Sequence, residues 1–121
     1  MKDYLLLLRE ENARFETLSP NDFEQLMKRF FEWTTALREA GSFIDCIKLT
    51  DAVGVLARKD TETREFEVVD GPFSEAREAI VGFYIVRARD RAAAQSIAGG
   101  CPVLDYGGSV EIREIFSILD K

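Results

Sequence analysis

The sequence predicts an α+β domain in which an antiparallel sheet carries helices on one face. The chain has 121 residues and 46% hydrophobic content, which is enough for one domain, residues 1–121, to bury a core without disulfides or structural metal. Extended and helical patterns follow one another as strand, long helix, several strands, short helix and strand. Two nearly continuous apolar segments, residues 4–8 and 80–88, have the pattern of central strands.

The first helix is predicted by its capping residues and by a wide apolar stripe. Ser19 can accept bonds from free backbone N–H groups, Pro20 suits the first turn, and Asp22 favours the positive helix end. Gly41 is expected to end the helix. Apolar residues at three- and four-residue steps form the stripe: Phe23, Leu26, Met27, Phe30, Phe31, Thr34 and Leu37.

The rest of the chain reads as sheet with one short helix. Asp90 can cap this second helix, and Gly99 and Gly100 stop it. Strands are predicted at residues 42–49, 54–58, 64–69, 80–88 and 109–116, with a hairpin turn at 59–63.

Two helices can cover only one face of this sheet. Because residues 4–8 and 80–88 are apolar on both faces, a second copy of the chain is expected to cover the other face. A twofold interface of this kind would typically bury about 1,500 Å² or more. The sequence therefore predicts a homodimer.

Composition narrows the classes of function. A formal net charge of -6 disfavours nucleic-acid binding. The apolar start at residues 4–8 is too short for a signal peptide or a membrane span, so a cytoplasmic protein with no membrane partner is expected. Cys46 and Cys101 have no metal or redox spacing and are interpreted as ordinary, partly buried thiols, with redox sensing as the alternative.

The chain contains no histidine. This removes the usual proton shuttle near neutral pH and the commonest ligand of zinc, copper and iron. No metal and no cofactor are predicted, and any catalysis would use carboxylates, arginine, tyrosine or backbone groups.

One block of residues resembles the signature of a known family, the YCII-related proteins, and within it the DGPF-motif branch. The block consists of Asp70-Gly71-Pro72-Phe73, the charged segment 74–78, and Gly82-Phe83-Tyr84. Similar residues also fall in family positions at 4–8, Ser19-Pro20, 36–41 and 107–113.

The resemblance implies a ferredoxin-like subunit that pairs into a dimeric α+β barrel. Many members of the branch are uncharacterised, and many are encoded beside extracytoplasmic-function sigma factors. A few wider relatives look like small-molecule enzymes with a histidine and aspartate as the acid–base pair. This chain departs from the pattern because it lacks histidine, carries Arg77 where lysine is common, and has no threonine-rich run in its hairpin.

The DGPF block has a structural and a functional interpretation. Asp70 can accept backbone N–H bonds in a turn, or it can present a carboxylate beside a pocket with Phe73 as an apolar wall. Glu75, Arg77 and Glu78 form either a solvated charged stretch or part of a dimer cleft, where a carboxylate among apolar walls can act as acid or base.

Other candidate residues lie on predicted strands and on the first helix. Glu111 and Arg113 share one strand face, so they form a solvent-exposed or structural ion pair, or Arg113 binds a ligand carboxylate between the sheets. Tyr84 belongs to the core, or it presents its hydroxyl to a ligand. Trp33 lies on the flank of the helix stripe and either packs in the core or borders a subunit contact or pocket.

Three functions remain open. The leading interpretation is a small-molecule-binding homodimer without catalysis, linked through the resemblance to stress or sigma-factor regulation. The second is a cofactor-independent lyase or isomerase in which Asp70 or Glu78 moves a proton while Arg113 stabilises an enolate-like charge. The third is a protein-interaction module that contacts a sigma factor. Whether the protein is an enzyme is left open.

Overall fold

The computed structural model describes residues 1–11, 18–50, 54–70 and 78–116. The order of elements confirms the α+β prediction, and a short 3-10 helix that the sequence did not predict precedes the last strand. The elements are β1 (Lys2–Glu11), α1 (Pro20–Glu39), β2 (Phe43–Lys48), β3 (Val55–Lys59), β4 (Phe66–Asp70), β5 (Glu78–Ala88), α2 (Arg91–Ala98), the 3-10 helix (Pro102–Tyr106) and β6 (Ser109–Glu114).

Four strands form the main sheet in the order β2-β5-β1-β6, and every neighbouring pair is antiparallel. Together with α1 and α2 they have the β-α-β-β-α-β connectivity of the ferredoxin-like fold. Strands β3 and β4 form a separate two-stranded sheet, inserted between the second and third strands of that motif. The predicted fold class and the predicted hairpin are therefore both confirmed.

The helix boundaries follow the capping residues that the sequence indicates. The Ser19 hydroxyl accepts the backbone N–H of Asp22 at 3.1 Å, and an Asp90 carboxylate oxygen accepts that of Ala93 at 2.9 Å. Just past the end of α1, Gly41 has φ +76°, a conformation that glycine adopts without steric cost. Local chemistry thus sets both ends of α1 and the start of α2.

The core lies between the helices and one face of the main sheet, because strand residues alternate between faces. Its largest fully buried side chains include Tyr4, Leu6, Leu26, Val86 and Val103. The prediction that Phe31 belongs to the buried stripe of α1 was wrong, since its side chain is 70% exposed. Successive helical residues are about 100° apart, so a helix that turns Phe30 toward the core turns Phe31 away from it.

The face of the main sheet opposite the helices is called the open face below. Its apolar centre is formed by two directly opposed pairs on β1 and β5, Leu5 with Ile85 and Leu7 with Phe83. All four side chains are only partly buried. Strand β5 is therefore central, as predicted, and the second copy expected over the open face stays a prediction.

Candidate functional site

A pocket of ≈ 200 Å³ lies between α1 and the end of the sheet where β1 and β2 finish and β5 begins. It is called the α1 pocket below. Helix α1 supplies one wall, and the three neighbouring strands supply the other. The lining residues are Leu8, Met27, Phe30, Cys46, Ile47, Lys48, Val81, Gly82 and Tyr84.

Gly82 sets the spacing of the strands at the floor of the pocket. It lies opposite Leu8 on β1 and opposite Lys48 on β2. A Cβ atom at Gly82 would lie only 2.5 Å from the carbonyl oxygen of Ile47. A residue without a side chain is therefore required for β2 and β5 to approach this closely.

The hydroxyl of Tyr84 is held by a short hydrogen-bond chain to α1. Thr34 Oγ1 lies 2.7 Å from the backbone oxygen of Phe30 and 2.7 Å from Tyr84 Oη. Because a carbonyl oxygen can only accept, Thr34 uses its single proton on Phe30, and Tyr84 must then donate to Thr34. Tyr84 can consequently offer a ligand an acceptor but no proton.

Burial controls the acid–base properties of Tyr84 and Cys101. Burial raises the pKa of Tyr84 to about 12; the bond with Thr34 opposes this shift, and the thiols of Cys46 and Cys101 add to it. Burial also raises the pKa of the Cys101 thiol to about 11. At neutral pH both groups stay protonated, which makes Cys101 an unreactive core thiol.

Aromatic rings fix the orientation of Tyr84. The ring centroid of Trp33 lies 4.6 Å from that of Tyr84, and those of Phe43 and Phe30 lie 6.2 and 6.5 Å away. The guanidinium carbon of Arg38 lies 4.7 Å from the centroid of Phe43 and closes the cluster on one side. Trp33 therefore packs against the core, which is the first of its two interpretations.

Arg113 belongs to an ion-pair cluster on the open face. Its Nη1 lies 3.1 Å from Glu111 Oε2, and Arg9 Nη2 lies 3.0 Å from Glu111 Oε1. Arg113 and then Arg9 hold the pKa of Glu111 below its ordinary value through these hydrogen bonds. This arrangement agrees with the structural ion pair that the sequence analysis considered.

Tyr84 and Arg113 do not share a site. Tyr84 is directly opposite Leu6, which faces the helices, whereas Arg113 is directly opposite Leu5 on the open face. The sheet lies between the two side chains. The structure thus brings Tyr84 to the α1 pocket and leaves Arg113 on the other side.

The other candidate residues flank a segment that the structure does not describe. Asp70 is the last residue of β4 and Glu78 the first of β5, where their backbones pair with Val55 and Glu11. The side chains of Asp70 and Glu78 lie outside what is described, as do residues 71–77 with Phe73, Glu75 and Arg77. Their proposed roles stay predictions.

Sequence reasoning missed most residues of the pocket. Met27, Phe30 and Cys46 carry no chemical motif, and their spacing indicates only a buried helix stripe and an edge strand. The one available signal was Gly82, because a glycine inside an apolar strand often marks a close approach of another backbone or of a ligand.

Residues 1–11, 18–50, 54–70 and 78–116 contain neither a metal-binding cluster of side chains nor a membrane-spanning helix. No group of three or more cysteine or acidic side chains in these ranges is placed to hold a metal ion. None of the helices in them is long and apolar enough to cross a membrane.

The topology and the pocket define a ferredoxin-like α+β domain with an apolar cavity between its first helix and its sheet. The chain belongs to the YCII-related domain family, whose pattern matches residues 3–119. A search of curated proteins finds no match.

Proposed function

We propose that this YCII-related protein is a homodimer that binds a small, largely apolar molecule in the α1 pocket. The observation that carries the proposal is the pocket itself, ≈ 200 Å³ in volume and lined mainly by apolar side chains. An apolar cavity of about 150 Å³ is large enough to bind benzene. Pockets that bind drug-sized ligands have volumes of about 300–1,000 Å³, so the molecule proposed here has about one ring or a short chain.

The polar groups of the lining restrict the ligand further. Tyr84 donates its hydroxyl proton to Thr34 and has none left for a ligand. Lys48 is an exposed cation in the pocket lining, and its Nζ donates to the backbone oxygen of Leu49 at 3.1 Å. An apolar body with one polar or anionic end at Lys48 suits this lining. A cationic end is disfavoured because it would meet a like charge.

Binding without turnover is favoured over catalysis. The described lining supplies no carboxylate, and Tyr84 stays protonated at neutral pH because burial raises its pKa to about 12. Arg113, which the lyase hypothesis needs near a substrate, lies on the open face, away from the α1 pocket, and is paired with Glu111. The link to sigma-factor or stress regulation is proposed on the resemblance of the DGPF block alone.

The homodimer is proposed from the open face. Leu5, Leu7, Phe83 and Ile85 form an apolar centre on the face opposite both helices. A second copy related by a twofold axis would present the same four side chains, and burial of apolar area drives most protein association.

Thermal unfolding with three single-ring probes tests the ligand proposal. Benzoate has an anionic end, toluene none, and benzylamine a cationic end. Cys46→Phe fills the pocket, whereas Ile44→Phe adds a similar ring on the same strand at a residue outside the pocket lining. We expect benzoate, and toluene more weakly, to raise the Tm of the wild type and of Ile44→Phe but not of Cys46→Phe.

The ligand proposal would be contradicted if a probe raised the Tm of both variants equally, or if no probe raised the Tm of the wild type. The homodimer is tested separately by sedimentation velocity, where a monomer at micromolar concentration would contradict it.

A further inference from the structure

The hairpin of β3 and β4 exposes much of its apolar surface. Both strands pair with each other and with no other described strand. The exposed fractions are 65% for Val55, 48% for Leu56, 67% for Phe66 and 54% for Val68. Such exposure of large side chains concentrated on one element indicates an interaction surface.

Strand register places most of these residues on one side of the hairpin. Ala57 is opposite Val68 and Lys59 opposite Phe66. One face of the hairpin, called the hairpin face below, therefore carries Val55, Ala57, Lys59, Phe66 and Val68. The opposite side carries an ion pair, with Arg58 Nε 2.7 Å from Glu67 Oε1. The hairpin face is thus mainly apolar but includes Lys59, and on the opposite side Arg58 and Glu67 pair beside Leu56 and Val69.

The turn of the hairpin is specified locally. Asp60 Oδ1 accepts the backbone N–H groups of Glu62 at 2.8 Å and Thr63 at 2.9 Å, and Arg64 has φ 64°. An isolated two-stranded hairpin is nevertheless marginally stable in water unless an apolar face packs on something. The exposure of the hairpin face shows that its own chain provides little of that packing.

We propose that the hairpin face packs against a second copy of this chain, so that each subunit of the homodimer holds the other with its hairpin. The inference rests on the homodimer of the proposed function and adds the element that stabilises it.

Interface area favours this occupant. Each Leu or Phe side chain that becomes fully buried removes about 60–120 Å² of apolar surface from water. The four apolar residues at the centre of the open face are already partly buried, so two copies together would bury there a few hundred Å² of apolar side chain, which is only part of the 1,200–2,000 Å² of a stable interface. The hairpin faces supply further apolar area, and their large apolar side chains are more exposed than those at the centre of the open face.

The apolar centre of the open face also continues to the edge strand β2, which precedes the hairpin in the chain. Leu7 is opposite Phe83, and Phe83 is opposite Ile47 on the edge strand β2, so the three side chains form a row across the sheet. Leu7 and Phe83 are partly buried, whereas Ile47 is 46% exposed. In the chain, β3 and β4 follow β2 and precede β5, so the hairpin is inserted between the two strands that carry Ile47 and Phe83.

Sedimentation velocity over a range of protein concentrations tests the inference. The double variant Phe66→Ser/Val68→Ser removes the centre of the hairpin face. Phe31→Ser is the matched control, because Phe31 on α1 is about as exposed as Phe66. We expect dissociation of the double variant at a concentration at least tenfold higher than for the wild type and the control, with circular dichroism unchanged.

Hydrogen exchange of the wild type tests the same surface without any substitution. We expect the amides of residues 55–59 and 66–70 to be more protected above the dissociation midpoint than below it. If the wild type dimerises, yet hairpin protection is independent of concentration and the double variant dissociates like the control, the inference is overturned while the homodimer stands. A monomeric wild type overturns both.

Discussion

Tyr84 on the central strand donates its hydroxyl proton to Thr34 on α1 across 2.7 Å, and this bond connects the two main layers of the domain. Tyr84 and Phe30 both line the α1 pocket, and Phe30 contributes the carbonyl that accepts the proton of Thr34. The bond therefore stabilises the fold and sets the hydrogen-bonding character of the proposed site.

A double-mutant cycle will measure this bond. Thr34→Val leaves the buried Tyr84 hydroxyl without its acceptor and should lower the free energy of unfolding by about 1–3 kcal/mol. Tyr84→Phe removes the donor. Because the double variant has no unpaired hydroxyl, its loss should be smaller than the sum of the single losses by about 1 kcal/mol, measured by urea unfolding. Additive losses would show that the bond contributes nothing.

Stability should fall at alkaline pH. Burial raises the pKa of Cys101 from 9.0 to about 11 and that of Tyr84 from 10.0 to about 12. Both groups ionise more readily in the unfolded chain, so their contribution is complete below pH 9.0 and is lost as pH rises toward the folded pKa values.

Urea unfolding between about pH 8 and pH 11 measures this loss. Cys101→Ala should flatten the decline that begins near the ordinary pKa of the thiol, and Tyr84→Phe should flatten the decline at higher pH. A wild type whose unfolding free energy does not change over this range would contradict the prediction.

Gly82→Ala should destabilise the domain and disturb the pocket. The new Cβ would lie 2.5 Å from Ile47 O and 3.3 Å from Lys48 Cα, and both are backbone atoms that cannot move without separating β2 from β5. Overpacking of this kind costs about 1–3 kcal/mol. Gly54→Ala is the control, since no atom lies within 4 Å of its added Cβ, and its effect should stay within about 0.5 kcal/mol. Equal unfolding free energies for the two variants would contradict the conclusion that β2 and β5 can approach this closely only with a glycine at position 82.

The parts of the fold that sequence predicted well are those fixed by local chemistry. Ser19 and Asp90 each cap a helix with one side-chain bond, and the hairpin turn predicted at 59–63 overlaps the observed turn between Lys59 and Phe66. Phe31 was assigned wrongly because Phe30 and Phe31 are both apolar, and periodicity alone does not show which of two adjacent residues faces the sheet.

The site was harder to predict because it depends on register between distant strands. Leu8, Gly82 and Lys48 become neighbours only when β1, β5 and β2 pair, and no local motif encodes that pairing. The register between β1 and β5 also shifts between Leu8 and Arg9, as at a β-bulge. The alternation of apolar and polar residues in the sequence does not reveal such a shift. Similarly, the sequence suggests Tyr84 and Arg113 each as a possible ligand contact but does not show that pairing with Leu6 and Leu5 puts them on opposite faces of the sheet.

The ion-pair cluster of Arg9, Glu111 and Arg113 should stabilise the protein only above acidic pH. Arg113 and Arg9 lower the pKa of Glu111, so its contribution is present above the ordinary glutamate value and is lost as pH falls through the folded value. Glu111→Gln should therefore unfold at lower urea concentration than the wild type near neutral pH, and the difference should vanish in acid. Added salt should reduce it as well, because the cluster is partly exposed. Glu114→Gln, on the same strand but with its Lys2 contact at 3.5 Å, is the matched control and should show a smaller difference. A Glu111→Gln difference that is the same in acid and near neutral pH would mean that packing, and not charge, explains the effect.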